Sequence, residues 1–382
     1  METLAGAIFM RMKIIDLLAI LESHAPPALQ EDYDNAGLLT GYENAECTGA
    51  LCCLDVTLEV LKEAEAQGCN LVVAHHPVIF RGLKRITGRN YVEQIVIEAI
   101  KKDIAIYAIH TNLDNVLAGV NGVIARKLGL VNTSILQPRS GLLRKLVTFA
   151  PVGDAERVRE ALFAAGAGYV GRYSECSFNS DGTGTFKAGA GTNPHVGAIG
   201  EQHREPETRI EVIYPSYLES GIMKALRSNH PYEEVAYDLL SLQNSHQEIG
   251  AGLVGELPEA LGEEEFLKLL ARMFEAQGIR YTAPTGRPVK RVAVCGGAGS
   301  FLTRAARQRG ADAYVTADVK YHEFFDAEGQ LLLADIGHYE SEQYTTELIH
   351  DLLREKFPNF AVLKSRVNTN PVRYLTDNNL KF

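Results

Sequence analysis

The chain lacks several features that would assign it to a common class. Its six cysteines (47, 52, 53, 69, 176 and 295) include no C-x-x-C pair, so the usual spacing for a thiolate zinc site or a dithiol redox site is missing. Cys52, Cys53 and Cys295 lie within apolar, strand-like runs, and reduced, buried thiols suited to the cytosol are expected. No stretch approaches the roughly 18 consecutive apolar residues of a membrane span. Residues 1–12 are short and only mildly apolar, with Arg11 and Lys13 late and no cleavage-like site, and are not read as a secretion signal. An excess of positive charge is also missing: 38 basic residues stand against 48 acidic ones, a net charge of −10. That argues against broad, charge-driven binding of nucleic acid. There is no G-x-S-x-G and no Cys/His nucleophile pair. Gly296-Gly-Ala-Gly-Ser300 fits neither phosphate-binding glycine pattern and reads as a tight turn. Gly182-Thr-Gly-Thr185 has no helix after it and reads as a hairpin.

What is present is a long, ordinary globular composition. At 382 residues the chain exceeds one ordinary core, and its 46% hydrophobic and 23% charged residues are typical of a folded protein of two or three domains. Apolar runs such as Ala50–Leu54, Leu71–Val73 and Ile104–Ile109 read as buried strands. They alternate with amphipathic helices at 14–23, 57–67 and 91–102, which implies a mainly parallel sheet. Near Gln137-Pro138 the character changes. A β-α-β-β-α-β order follows, with Asp154 as a helix N-cap and a short strand at Ser174–Phe178, and resembles a ferredoxin-like module. Strand-helix alternation resumes at Gly250. The expected fold class is therefore α/β, with two related α/β halves (1–138 and 249–382) forming one core around an inserted α+β domain (139–248).

An internal echo supports the two halves. In each, a glycine leads a buried strand into polar residues and a second strand does the same. The first half ends its strands in His75-His76-Pro77 and in His110-Thr-Asn-Leu-Asp114. The second half ends its strands in Thr316-Ala-Asp318 and in Gly337-His-Tyr-Glu-Ser-Glu342. Adjacent histidines on a regular strand point to opposite faces, but at a strand end both can converge. His338 and Glu342 are four apart and share a face in a helical turn. Three polar clusters beyond apolar strands thus offer three imidazoles and two carboxylates, more than the three protein ligands of a single catalytic zinc. Mixed ligands of this kind suit two ions about 3.5–4 Å apart. Their cleft is expected beyond the strand ends, and His322, after the echo of the His-His strand, could line it.

Five separated motifs carry a resemblance: Tyr33-Asp-Asn-Ala-Gly-Leu38, Ala74-His-His-Pro77, His110-Thr-Asn-Leu-Asp114-Asn115, Thr316-Ala-Asp-Val-Lys-Tyr-His322 and Gly337-His-Tyr-Glu-Ser-Glu342. In this order they are similar to the NGG-interacting-factor-three-like family, also named GTP cyclohydrolase I type 2 homologues. The middle region, through Gly168–Phe178, Gly182–Phe186 and His230-Pro-Tyr-Glu-Glu234, resembles the PII/CutA-like insert of the family's long form. The resemblance implies a dinuclear site with metal ligands His75, His76, Asp114, His338 and Glu342, and with Asp34, Glu340 and His322 in the cleft. One ion would take His75, Asp114 and Glu342; the other would take His76 and His338, with a carboxylate bridging. It further implies two divalent ions per subunit (Zn, Fe, Mn or Mg), a cytoplasmic homohexamer built as a trimer of dimers, and no membrane partner. Residues 1–12 depart from the family's start, with Met12 an alternative first residue. The activity implied is a metal-dependent hydrolase in which activated water attacks an electrophilic carbon of a nucleotide-like substrate. The rival reading is a non-enzymatic metal-binding ring that scaffolds or regulates, with the insert sensing a small ligand.

Overall fold

Short apolar strands that end in polar turns recur through the chain, and the sheets are built from them. The structure is a computed structural model and describes residues 12–375. The expectation about residues 1–12 therefore falls, except for Met12, outside the described residues. Two compact units divide the chain. One takes it up to Gln137 and again from Ile249 onward; the other is Pro138–Glu248.

The first unit holds two sheets. In the five-stranded sheet the order is β1 (Gly37–Thr40), β4 (Ala105–Ala108), β3 (Leu71–Ala74), β2 (Ala50–Cys53) and β15 (Val362–Lys364). Strands β2, β3, β4 and β15 run parallel, and β1 is antiparallel to β4. Every residue of β2, β3 and β4 is buried, as expected of parallel strands covered on both faces. The helix Leu58–Ala66 starts at Thr57, whose side chain accepts a hydrogen bond from Val60 N. It stops before Gly68, whose φ of +70° takes the left-handed turn that favours glycine. Leu61, Val72, Ile95 and Ile106 are among the residues of the core that this helix and Tyr91–Lys101 build with the strands.

The six-stranded sheet runs β11 (Arg280–Tyr281), β14 (Leu332–Asp335), β13 (Ala313–Ala317), β12 (Val289–Ala298), β10 (Gly250–Leu261) and β5 (Val131–Pro138). Here β12, β13 and β14 are parallel, while β10 is antiparallel to β12 and β11 to β14. The expectation of a mainly parallel sheet holds for the first sheet and for these three strands. Strand β5 leads out of the unit and β10 leads back into it, so they add an edge that no βαβ crossover builds. In each sheet three consecutive strands, β2-β3-β4 and β12-β13-β14, lie side by side in chain order.

The second unit is a four-stranded antiparallel sheet in the order β7 (Ser177–Lys187), β8 (Gln202–Pro215), β6 (Leu143–Pro151) and β9 (Tyr237–Ser241). Helices Ala155–Ala164 and Glu219–Asn229 pack Val158, Leu162, Ile222 and Leu226 against Leu146, Ile210 and Val212. Three local expectations need correction. The short strand at Ser174–Phe178 is instead an eleven-residue strand that begins at Ser177. Gly182–Thr185 is no hairpin but lies inside β7, paired with β8 from Glu207 to Arg204. A Cβ at Gly184 would run into the Glu207 carboxylate, so the glycine reflects cross-strand crowding rather than a turn. Asp154 does occupy the N-cap position, but it has helical backbone angles and makes no capping bond; its carboxylate takes Arg157 at 2.7 Å. All six cysteines are free, and all but Cys176 are buried. Among the described residues no helix is long and apolar enough to cross a membrane.

Candidate metal centre

The strand ends of the first unit bring four imidazoles and two carboxylates to one place. His75 and His76 follow β3 directly, where the backbone leaves the sheet, and their ring centroids lie 4.8 Å apart. His110 follows β4 and opens the short helix Thr111–Asp114, which ends on Asp114. His338 and Glu342 are the first and last residues of the helix that follows β14. Their facing atoms, His338 Nε2 and Glu342 Oε2, are 3.0 Å apart.

Each imidazole is oriented from behind. His75 Nδ1 donates to Ile109 O at 2.9 Å. His76 Nδ1 donates to Asp55 Oδ1, His110 Nδ1 to Asp34 Oδ1 and His338 Nδ1 to Asp318 Oδ2, each at 2.7 Å. A carbonyl or carboxylate can only accept, so Nδ1 carries a proton in all four rings and it is Nε2 that faces the cluster. Carboxylate-histidine pairs of this kind are what fix metal-binding imidazoles in one tautomer. Asp318 adopts a left-handed backbone, φ +54°, a conformation that aspartate tolerates at modest cost and that accumulates at functional sites.

Glu342 is the hub. Its Oε2 lies 2.9 Å from His76 Nε2 and 3.9 Å from His75 Nε2. His75 Nε2 is in turn 3.6 Å from Asp114 Oδ1, and His76 Nε2 is 3.3 Å from His338 Nε2. Two donor groups share Glu342, one with His75 and Asp114 and the other with His76 and His338; a third joins His75, His76 and His110. Atoms about 2.0–2.2 Å from a common ion are separated from each other by about 3–3.5 Å, close to these spacings. The buried atoms His75 Nε2 and Asp114 Oδ1 have no hydrogen-bond partner. An unsatisfied buried polar atom is costly, and a cation between these two would satisfy both. The donor set, imidazole nitrogens with carboxylate oxygens, fits a borderline divalent metal.

The charges point the same way. Burial pushes His75 down to about 3, so it stays neutral. Burial opposes charge on His76 too, but Asp55 and Glu342 outweigh it and lift its pKa to about 9. At His338 burial is likewise overcome, by Glu342 and Asp318, which raise it to about 11. Burial and the Glu342 charge raise Asp114. Glu342 is held well below the usual carboxylate range, because the neighbouring His338 and His76 overcome its burial. Protons thus balance a cluster of donors that a cation would neutralise directly.

The other residues singled out from the sequence sit around this cluster. Asp34 supports His110 and also accepts from Thr111 N at 3.0 Å. Glu340 is buried, accepts from Asn370 Nδ2 at 3.1 Å and is not among the clustered donors. His322 is exposed on the short helix Tyr321–Ala327, against Tyr321 and Phe325, and is not among the clustered donors. His110, in the sequence no more than the start of a polar cluster, is itself a donor here, and its ring meets those of His75 and His76 edge-on. Asp55 and Asp318 are imidazole supports that sequence reasoning misses. Their only sequence signal is a carboxylate just beyond an apolar strand. Gly296-Gly297 is not the plain turn expected, for it lies within β12. Gly297 has φ +60° and a Cβ there would meet Glu342 Oε1, so this glycine makes room for the hub.

A family description matches residues 12–371, that of Duf34/NIF3 (NGG1p interacting factor 3). The chain belongs to the DUF34/NIF3 family. A family protein of Halalkalibacterium halodurans named GTP cyclohydrolase 1 type 2 homolog is 39% identical, over 94% of this chain and 98% of its own. One of the same name from Bacillus subtilis is 35% identical over 94% and 98%. The crystal structure of a Bacillus cereus protein related to NIF3 superposes with a TM-score of 0.85 at 37% identity, covering 96% of this chain and all of that one. The mixed α/β architecture with several sheets is that of NIF3-like proteins.

Proposed function

We propose that this DUF34/NIF3 protein is a dinuclear metal-dependent hydrolase acting on a nucleotide-like substrate. The observation that carries the reading is the pair of buried, unpartnered donors, His75 Nε2 and Asp114 Oδ1, beside the shared Glu342 carboxylate. In this reading His75, Asp114 and Glu342 hold one ion, and His76 and His338 hold the other with Glu342 between them; Zn, Fe, Mn and Mg are the candidate metals. Bound divalent ions would lower the pKa of water and polarise an electrophilic carbon. The chain's own part is to fix the imidazoles through Asp55, Asp318, Asp34 and Ile109 O, and to leave His110 beside the two ion sites, where its Nε2 faces whatever enters. Relatives named GTP cyclohydrolase 1 type 2 homolog support a purine nucleotide as the first substrate to try. The two α/β halves are read as related, and the second unit as a ferredoxin-like, PII/CutA-like insert. The working form is read as a cytoplasmic homohexamer, a trimer of dimers, with no nucleic-acid or membrane partner.

The test is metal content together with turnover. Purified oligomer should carry two metals per chain and hydrolyse at least one compound in a broad nucleotide panel. His76→Ala or Glu342→Ala should lower the metal stoichiometry while the oligomer stays folded. Full metal retention in both variants, or loaded protein inert across the panel, would sink the reading. A second reading, a non-enzymatic ring whose insert senses a ligand, is favoured by a cavity of about 630 Å3 in the second unit, lined by Phe149, Phe186, Tyr232, Glu207 and Arg209 among others.

A further inference from the structure

Immediately after His75-His76-Pro77 the chain makes a loop that reverses the protein's overall charge. Residues 77–92 contain Arg81, Lys84, Arg85 and Arg89 and no Asp or Glu, in a chain with an acidic excess of ten. All four cations are exposed, and among the described residues none has a side-chain hydrogen bond or ion pair. Unpaired surface cations are ordinary one at a time. Four in nine residues, on a loop held in place at both ends, are not.

The loop is anchored beside the metal centre. At its start the Phe80 ring stands edge-on to His110 with centroids 5.8 Å apart, and Asn35 Nδ2 donates to Ile79 O at 2.6 Å. Arg81 follows Phe80 directly. At its far end the largely buried Glu93 accepts from Thr87 N and Thr87 Oγ1 at 2.8 Å and from Arg89 N at 3.1 Å, with Asn90 Nδ2 on its other oxygen at 2.9 Å. That buried carboxylate fixes the backbone of the loop and leaves its cations unengaged. Nor do these cations neutralise the acidic residues behind the site. Asp34, Asp55 and Asp318 are already taken by His110, His76 and His338.

We propose that the loop of residues 80–90 binds the phosphoryl groups of the substrate handled at the metal centre, so that this substrate is a phosphate ester or anhydride. Guanidinium groups match phosphate oxygens in a two-pronged geometry, and an ammonium group adds a point charge. A loop whose backbone is already fixed pays only side-chain ordering on binding such an anion. The reacting carbon would lie at the donor cluster while Arg81, Lys84, Arg85 and Arg89 hold the anionic end. This inference rests on the hydrolase reading for its substrate but not for its binding surface.

The experiment titrates metal-loaded protein calorimetrically with inorganic tripolyphosphate, with bound metal measured before and after so that stripping is not read as binding. Lys84→Ala/Arg85→Ala should weaken binding by about a hundredfold, roughly tenfold for each charge-assisted hydrogen bond removed, with metal content and melting temperature unchanged. The charge-preserving pair Lys84→Arg/Arg85→Lys should bind within about threefold of the parent. Equal affinity in the alanine variant, or a single-stranded oligonucleotide that outcompetes tripolyphosphate, overturns the inference. The two readings fail separately. Loss of turnover on every nucleotide with loop-dependent tripolyphosphate binding intact sinks the hydrolase alone. Turnover of a phosphorylated substrate with unchanged KM in the alanine variant sinks the loop alone.

Discussion

Metal loading should release protons, and the number is set by the supports of two histidines. In the metal-free cluster His76 titrates near 9 and His338 near 11, so both hold a second proton at pH 7. Neutral imidazole is needed for ligation, so filling the site displaces about two protons from these rings, and below about pH 7 a further one from Asp114, which burial and the Glu342 charge raise to about 7. Apparent affinity for the pair of ions should then rise about a hundredfold for each pH unit around pH 8 and more steeply towards pH 6, since each displaced proton contributes about tenfold. Above about pH 9 the His76 proton is already gone and the slope should fall by half. Titration of chelator-stripped protein with zinc in buffers of different ionisation heat counts the protons directly. The same shifts fix the sign for stability. A pKa raised above its unfolded value stabilises the fold fully below about 6.5, and that contribution is lost as pH rises through the folded value. Metal-free protein should therefore melt at lower temperature at pH 10 than at pH 7, and metal-loaded protein should not follow it. An affinity that is flat or falls between pH 6 and 8, or a release of no protons, would refute the protonation states and the shared role of Glu342.

The remaining expectations concern the supports of the cluster. Asp55→Asn and Asp318→Asn should each lower metal affinity by about 10–100-fold, read by competition with a chromogenic chelator, because each removes the carboxylate that fixes an imidazole tautomer. Gly297→Ala should lower metal stoichiometry as strongly as loss of a ligand, because its φ of +60° strains any other residue and its Cβ would displace Glu342; metal analysis of folded variant decides it. Thr369 Oγ1 donates to Asp55 Oδ2 at 2.6 Å, so Thr369→Val should cost about 1 kcal/mol of stability by denaturant titration.

Much of the site is legible in the sequence because its ligands stand at the ends of continuous apolar strands. Leu71-Val-Val-Ala74 reads as a buried strand, so the two histidines behind it emerge at the carboxyl end of the sheet, and the i,i+4 spacing of His338 and Glu342 places them on one helical face. What the sequence does not convey is pairing across distance. Asp55 and Asp318 look like any turn carboxylates until the fold sets them behind His76 and His338. The glycine run after Cys295 misleads for the same reason. Local pattern makes Gly296-Gly297 a turn, whereas its cause is the carboxylate of Glu342 on another element. In the second unit, Gly182–Thr185 imitates a hairpin because glycine marks both turns and crowded strand pairs, and only the register with β8 separates the two.

The arrangement is difficult to account for as a device for stability. Leaving His75 Nε2 and Asp114 Oδ1 buried without partners costs on the order of 1–3 kcal/mol each. Apolar residues of similar volume would remove that cost and pack at least as well. Instead the fold commits Asp34, Asp55, Asp318 and Ile109 O to holding four rings with Nε2 turned toward one cluster. It also places a glycine in β12 where a side chain would relieve the crowding by pushing Glu342 aside. The two unpartnered donors and the glycine beside Glu342 oppose stability, while the carboxylate supports hold a concentrated, pre-aimed set of donors. They come from three chain segments on two sheets, so no single mobile loop can disperse them. A cation is the partner that would satisfy both unpartnered atoms and use all the aimed rings at once, which is why the metal centre, and not the sheets that carry it, best explains the residues found there.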